Sequence, residues 1–213
     1  MTVTVTEWEE VAGAERFLIT QRDNLPQGQA FGPFRVINGG RAALVGATDG
    51  ASAQQFAAML AAYPGIATLE MIECPGTDDD TANLALGRMI RAHGIVTHVP
   101  ANGSVRSGAV ELFLAGARRQ IDDGAEFAVH SWRDSDGREA GDFAADAAPN
   151  RAYLEYYRDM GVNDPRAFYA MTNAVPNHDA RWMTAAEMRR WTDSGPGGPG
   201  PAIAYLDLAT GIP

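Results

Sequence analysis

The chain has 213 residues, 46% of them hydrophobic and 21% charged, enough for one generous domain that buries roughly 70% of its unfolded surface without a staple. Its net charge of −10 argues against nucleic acid as a partner, because nothing would neutralise the phosphates, and no apolar run approaches the roughly 18 residues of a membrane span. All 17 basic residues are arginine, which removes the Ser-Lys dyad, the Schiff base, covalent pyridoxal attachment and the Walker A loop, and the single cysteine, Cys74, excludes an intrachain disulfide.

The N-terminus, MTVTVTEWEEV, is neither basic nor apolar and carries no signal-peptide pattern. A cytoplasmic protein is expected, or a periplasmic one if a leader has been removed. Residues 1–40 read as irregular, with Phe34–Ile37 an edge strand closed by Asn38-Gly39-Gly40. Residues 42–46 (AALVG) are a buried strand. Phe56, Met59, Leu60 and Tyr63 recur at helical spacing, and Pro64-Gly65 ends that helix. Residues 67–73 (ATLEMIE) are a second strand. After the Pro75-Gly76 turn, Leu86, Met89, Ile90 and His93 mark another helix, stopped at Gly94. Residues 95–100 (IVTHVP) are a third strand, an apolar helix follows Ser107, and residues 126–131 (EFAVHS) are a fourth strand.

Strands alternating with helices imply a mainly parallel, covered sheet. Beyond His130 the pattern changes to an acidic loop at 132–149, a helical stretch at 150–173 bearing Tyr153, Tyr156 and Tyr157, and a short helix at 184–191. Thr184 with Glu187 three residues on is a capping box. Residues 195–201 (GPGGPGP) are a linker by composition, and AIAYLDL in the tail reads as a last strand.

Three strand-to-helix crossings carry the chemistry. They are Cys74-Pro75-Gly76-Thr77, Ser107-Gly108 and His130. In an open parallel sheet such ends gather along one crevice. A glycine turn, a serine at a helix N-terminus and a histidine would then stand side by side. Those are the parts of acyl transfer: backbone N–H groups for an oxyanion, a nucleophile and a base. Ser107 as no more than a helix cap is the competing reading.

The sequence resembles the ClpP/crotonase superfamily, and within it the ClpP-like serine peptidases, from about Ala42 to Trp191. ATLEMIECPGT is similar to the family's strand and PGG turn. SGAVELFLAG is similar to its nucleophile helix, with Ala115-Gly116 closing it. FAVHS is similar to the strand ending in the catalytic histidine, 23 residues after Ser107. NHDARWMTAAEM is similar to the stretch holding the family's acid, with Asp179 lying 49 residues after His130.

The resemblance implies an α/β ClpP/crotonase-like fold at 41–194, between an irregular segment at 1–40 and a Gly/Pro linker and tail at 195–213. It implies a serine peptidase with Ser107 as nucleophile, His130 as base and Asp179 as orienting acid. The N–H groups of Gly76 and Gly108 would form the oxyanion hole. It implies a peptide or protein substrate, no metal or organic cofactor, and a homo-oligomer, for whose interface the tyrosine-rich helix is suited. The family's segments that contact an unfolding ATPase are not recognisable. Thr77 stands where the family has its second glycine, and Asp179 is one residue further from Met183 than in the family.

Two other functions compete. A crotonase-type acyl-CoA enzyme would use the same N–H groups for a thioester enolate, but its helix carboxylates are not evident. A catalytically inactive scaffold is favoured by the departures at Thr77 and Asp179. Other residues have plainer readings. Asp142 and Asp146 are rivals to Asp179. Glu111, one turn after Ser107 in an apolar helix, reads as a buried interaction partner, a substitute acid or, first of all, a partner of an arginine such as Arg118 or Arg119. Asp78, Asp79 and Asp80 suit a helix N-terminus. His93 and His98 lie on different elements and make a poor metal pair, and Cys74 reads as a small buried residue.

Overall fold

The computed structural model describes residues 25–192 and the backbone of two short strands, β1 (Thr4–Val5) and β2 (Thr20–Gln21), which pair antiparallel. The linker and last strand expected at 195–213, and most of the first 24 residues, lie outside the described residues.

The described chain is an α/β fold built on two mixed, mostly parallel sheets. It begins with β3 (Ala30–Phe31), β4 (Phe34–Asn38) and β5 (Arg41–Leu44), followed by α1 (Ser52–Ala62). Three units follow. The first is β6 (Thr68–Met71), β7 (Glu73–Cys74) and α2 (Asp80–Ala92). The second is β8 (Val96–Val99), β9 (Ser104–Arg106) and α3 (Ala109–Leu114). The third is β10 (Arg118–Ile121) and β11 (Glu126–Val129). Last come α4 (Ala148–Asp159), α5 (Pro165–Thr172), β12 (Arg181–Thr184) and α6 (Ala185–Thr192).

Each unit gives its first strand to one sheet and its second to the other. The six-stranded sheet has the order β10-β8-β6-β5-β4-β3 and the four-stranded sheet the order β12-β11-β9-β7. The run ATLEMIE, which reads as one strand, breaks at Ile72, where the chain changes sheets. β9 and β10 have no apolar signature and escape a reading by pattern. β4 is not an edge, because β3 pairs with its far side.

The core follows from residue type. All six residues of α3 are buried, as expected for a helix apolar nearly all round. The Phe113 ring packs on Phe127 of β11 at 5.1 Å. Tyr153, Tyr156 and Tyr157 of α4 are buried in this same core, with the Tyr157 ring edge-on to Phe168 at 5.0 Å. These tyrosines are spent on internal packing and do not offer the interface surface expected of them. The 150–173 stretch is two helices, divided before Asp164, which caps α5 by accepting the Ala167 N–H at 3.0 Å. The capping box is present: the Thr184 N–H donates to Glu187 Oε2 at 2.8 Å and the Glu187 N–H to Thr184 Oγ1 at 3.3 Å. No described helix is long and apolar enough to cross a membrane.

Candidate active site

The parallel strands β7, β9 and β11 end side by side, with Cys74 opposite Val105 and Arg106 opposite Ala128. The residues that follow those ends are Gly76, Ser107 and His130. Ser107 and His130 line one cavity of about 760 Å³, together with Thr77, Gly108, Glu111 and Asn177.

Ser107 bridges strand and helix. Its N–H extends the ladder to the Ala128 carbonyl at 2.9 Å, and its own carbonyl accepts from the Val110 N–H at 2.9 Å. Its φ is +50°, a left-handed conformation that costs a non-glycine residue about 1–2 kcal/mol. Such strain persists only where the surroundings impose it, and it concentrates at functional sites. Ser107 therefore does not act as an N-cap. Gly108 holds that position, and no side chain caps α3. The Ser107 hydroxyl makes no hydrogen bond among the described residues, to His130 or any other.

Two backbone donors flank the hydroxyl. A trans peptide points its N–H opposite to its C=O. Because the Ser107 carbonyl is drawn down into α3, the Gly108 N–H is directed out of the helix start. Neither it nor the Gly76 N–H is hydrogen-bonded among the described residues. The carbonyls of the same two glycines are tied back. The Thr48 N–H donates to the Gly76 carbonyl at 3.0 Å, and Asn83 Nδ2 donates to the Gly108 carbonyl at 2.6 Å. The Thr48 hydroxyl in turn donates to Asn83 Oδ1 at 3.0 Å. Thr77 adds its hydroxyl to the Thr48 carbonyl at 3.2 Å and packs its methyl over Gly108, where an added Cβ would fall 2.4 Å from Thr77 Cγ2. The threonine at this turn thus closes the packing beside Gly108.

His130 is half-buried, with its Nδ1 2.8 Å from the Ser131 carbonyl oxygen. A carbonyl only accepts, so Nδ1 carries the proton and Nε2 keeps its lone pair, the tautomer a general base needs. Asn177 Nδ2 donates to the same carbonyl at 3.0 Å and lies 3.1 Å from Nδ1. The Asn177 backbone N–H is anchored on Glu139 Oε1 at 3.0 Å.

Asp179 is not at this position. It is exposed, and its carboxylate accepts the N–H of Ala180 at 2.7 Å. The group the chain brings to His130 is Asn177, two residues earlier, acting with a backbone carbonyl. A search for a carboxylate passes over both.

Arg106, the last residue of β9 and 1% exposed, forms an ion pair with Glu73 and donates to Ser104 Oγ at 3.1 Å. Glu111 does not reach Arg118 or Arg119. Its Oε1 accepts the Tyr157 hydroxyl at 2.6 Å. Burial pushes its carboxyl up to about 7, aided by the nearby Asp80 charge and opposed by the bond from Tyr157 and its own N–H.

The remaining candidates lie in plain settings. Asp79 caps α2 by accepting the Ala82 N–H at 2.9 Å. Asp142 holds the Glu139 N–H at 2.8 Å, and Asp146 is exposed. Cys74 is buried beneath the turn, its Sγ 3.4 Å from the Leu44 carbonyl. His98 stands between Glu70 at 2.7 Å and Asp122 at 3.2 Å, and His93 is exposed with its Nδ1 on the Met89 carbonyl. Among the described residues no group of three or more His, Cys, Asp or Glu side chains is arranged to hold a metal ion.

No protein-family model matches the chain. No curated protein sequence matches it. Among solved structures, the chain is similar to two variants of 1510-N, a membrane-bound stomatin-specific protease. One, in complex with a substrate peptide, is 15% identical with a TM-score of 0.46, over 70% of this chain and 71% of that one. The other is 14% identical with a TM-score of 0.48, over 70% of this chain and 74% of that one.

Proposed function

We propose that the protein is a serine hydrolase, a ClpP-like peptidase that cleaves peptide bonds through an acyl-enzyme. The observation that carries this reading is Ser107: a strained, left-handed serine between two unbonded N–H groups, in the same cavity as a histidine in the base tautomer.

In this reading Ser107 Oγ attacks the substrate carbonyl and His130 Nε2 takes its proton. The oxyanion forms between the N–H groups of Gly76 and Gly108, each such donor contributing about 3–4 kcal/mol to the transition state. His130 then protonates the leaving amine, and water, deprotonated by His130, clears the acyl group. Ser131 and Asn177 hold the imidazole in place of the acid expected at Asp179. Without a carboxylate at Nδ1 the imidazolium gains less, and a modest rate follows. No metal or organic cofactor enters the scheme, and the assembly is proposed to be a homo-oligomer.

A second reading, an inactive scaffold, draws on the absence of a hydrogen bond from the Ser107 hydroxyl. Serine–base contacts often tighten only when substrate binds. Labelling with a fluorophosphonate, read by intact mass and peptide mapping, separates the two. An adduct on Ser107 that is lost in His130→Ala supports the hydrolase, and none in folded protein supports the scaffold.

A further inference from the structure

The proposed reaction makes no use of Glu111, yet this side chain sits one turn beyond Ser107 in the cavity wall and is 7% exposed. Burying a carboxylate without a cation is costly, and the rest of α3 shows that an apolar residue fits this helix. Tyr157 donates one hydrogen bond to Glu111, but no described arginine or histidine pairs with it.

The same cavity is lined by further residues whose acceptors lack donors. The Tyr157 hydroxyl also meets Thr172. The next residue, Asn173, spends its Nδ2 on the Tyr169 carbonyl and the Thr172 hydroxyl, while its buried Oδ1 has no partner. Asn177, 5% exposed and lining the same cavity, has an Oδ1 in the same condition. Asp80, hydrogen-bonded with Tyr153, adds a second negative charge near Glu111. Of the two arginines in the lining, Arg138 is held by Asp134 and Asp136. A carboxylate with unsatisfied amide oxygens calls for a ligand that is cationic and carries several donors. Guanidinium and ammonium groups have that chemistry.

We infer that the Glu111 end of the cavity is a specificity pocket for an arginine or lysine side chain of a peptide. This rests on the hydrolase reading. Side chains one helical turn apart have their Cβ atoms about 5–6 Å apart, a span that an arginine or lysine stem covers between a carbonyl at Ser107 and a cation at Glu111.

The test uses the full chain carrying Ser107→Ala, so that binding is read without turnover. Calorimetry at about pH 8 compares acetyl-Leu-Ala-Arg-amide with its citrulline counterpart, which keeps shape and loses charge. The arginine peptide is expected to bind at least about tenfold tighter, with the preference lost when Glu111→Gln is added. Equal affinities in the Ser107→Ala protein overturn the inference, whether or not the double variant folds, and so does a preference that survives Glu111→Gln. Fluorophosphonate labelling of the wild type reports separately on the hydrolase. An adduct with equal peptide affinities overturns the pocket alone, and arginine preference without an adduct overturns the hydrolase alone.

Discussion

A Cβ built on Gly76 would stand 2.9 Å from Ser107 Cβ and 3.3 Å from its Oγ. Gly76 also has φ +135°, a region that side chains rarely enter. Glycine is therefore demanded twice, once by conformation and once by the serine beside it. Gly76→Ala is expected to lower stability by about 1–3 kcal/mol and to slow fluorophosphonate labelling of Ser107 by roughly 100-fold or more, since one of the two proposed oxyanion donors moves as well. A variant that labels at the wild-type rate would remove Gly76 from the site.

His130 and Asn177 give a second prediction. Asn177 Nδ2 and His130 Nδ1 share the Ser131 carbonyl, so losing the amide frees that carbonyl and the ring it holds. Asn177→Ala is expected to slow Ser107 labelling by roughly 10- to 100-fold, mainly through the base. Asp179→Asn, altering an exposed carboxylate, is expected to change it by less than about threefold. Labelling rates measured against pH check both, and the reverse order would return the orienting role to Asp179.

How far the site was legible follows from these residues. Ser107, Gly76 and His130 follow strands with apolar runs, so their crossings stood out. Thr184 and Glu187 announced a helix start by spacing alone, and both of their hydrogen bonds are made. The partner of His130 did not stand out, because one contributor is a backbone carbonyl and the other an asparagine in a coil, TNAVPNHD. β9 (SVR) and β10 (RRQI) were missed because short, polar-faced strands have no period to read. The split of ATLEMIE at Ile72 was hidden because a strand that changes sheets keeps its apolar pattern. Glu111 drew notice as a charge in an apolar helix, but its partner came from α4, more than 40 residues on.

The raised carboxyl of Glu111 gives a pH dependence. With a folded value of about 7 against an ordinary 4.5, the native state binds more protons than the unfolded chain between those values. Stability from this group therefore falls as pH rises from about 4.5 to 7, then levels off, by an amount of order 3 kcal/mol. Glu111→Gln mimics the protonated form and removes the dependence. The difference in unfolding free energy, variant minus wild type, is expected to grow in the variant's favour between about pH 5 and 8. A difference that is flat with pH would mean that Glu111 is ionised at low cost.

Arg106 and Glu73 give a fourth. The pair is buried, and Arg106 is the residue before Ser107 in the chain. Arg106→Ala leaves Glu73 without its cation and is expected to cost about 3–5 kcal/mol, measured by denaturant unfolding. Replacing both, as Arg106→Met with Glu73→Leu, is expected to recover most of that loss. Equal losses in the single and double variants would show that the arginine stem, rather than its charge, supports the site.

The most direct measurement is fluorophosphonate labelling of the folded wild-type protein at about pH 6 to 9, since only an activated serine reacts readily. A single adduct is expected, mapped to Ser107, absent in Ser107→Ala and strongly reduced in His130→Ala. No adduct at any of these pH values, or an adduct on another serine, would contradict the hydrolase reading.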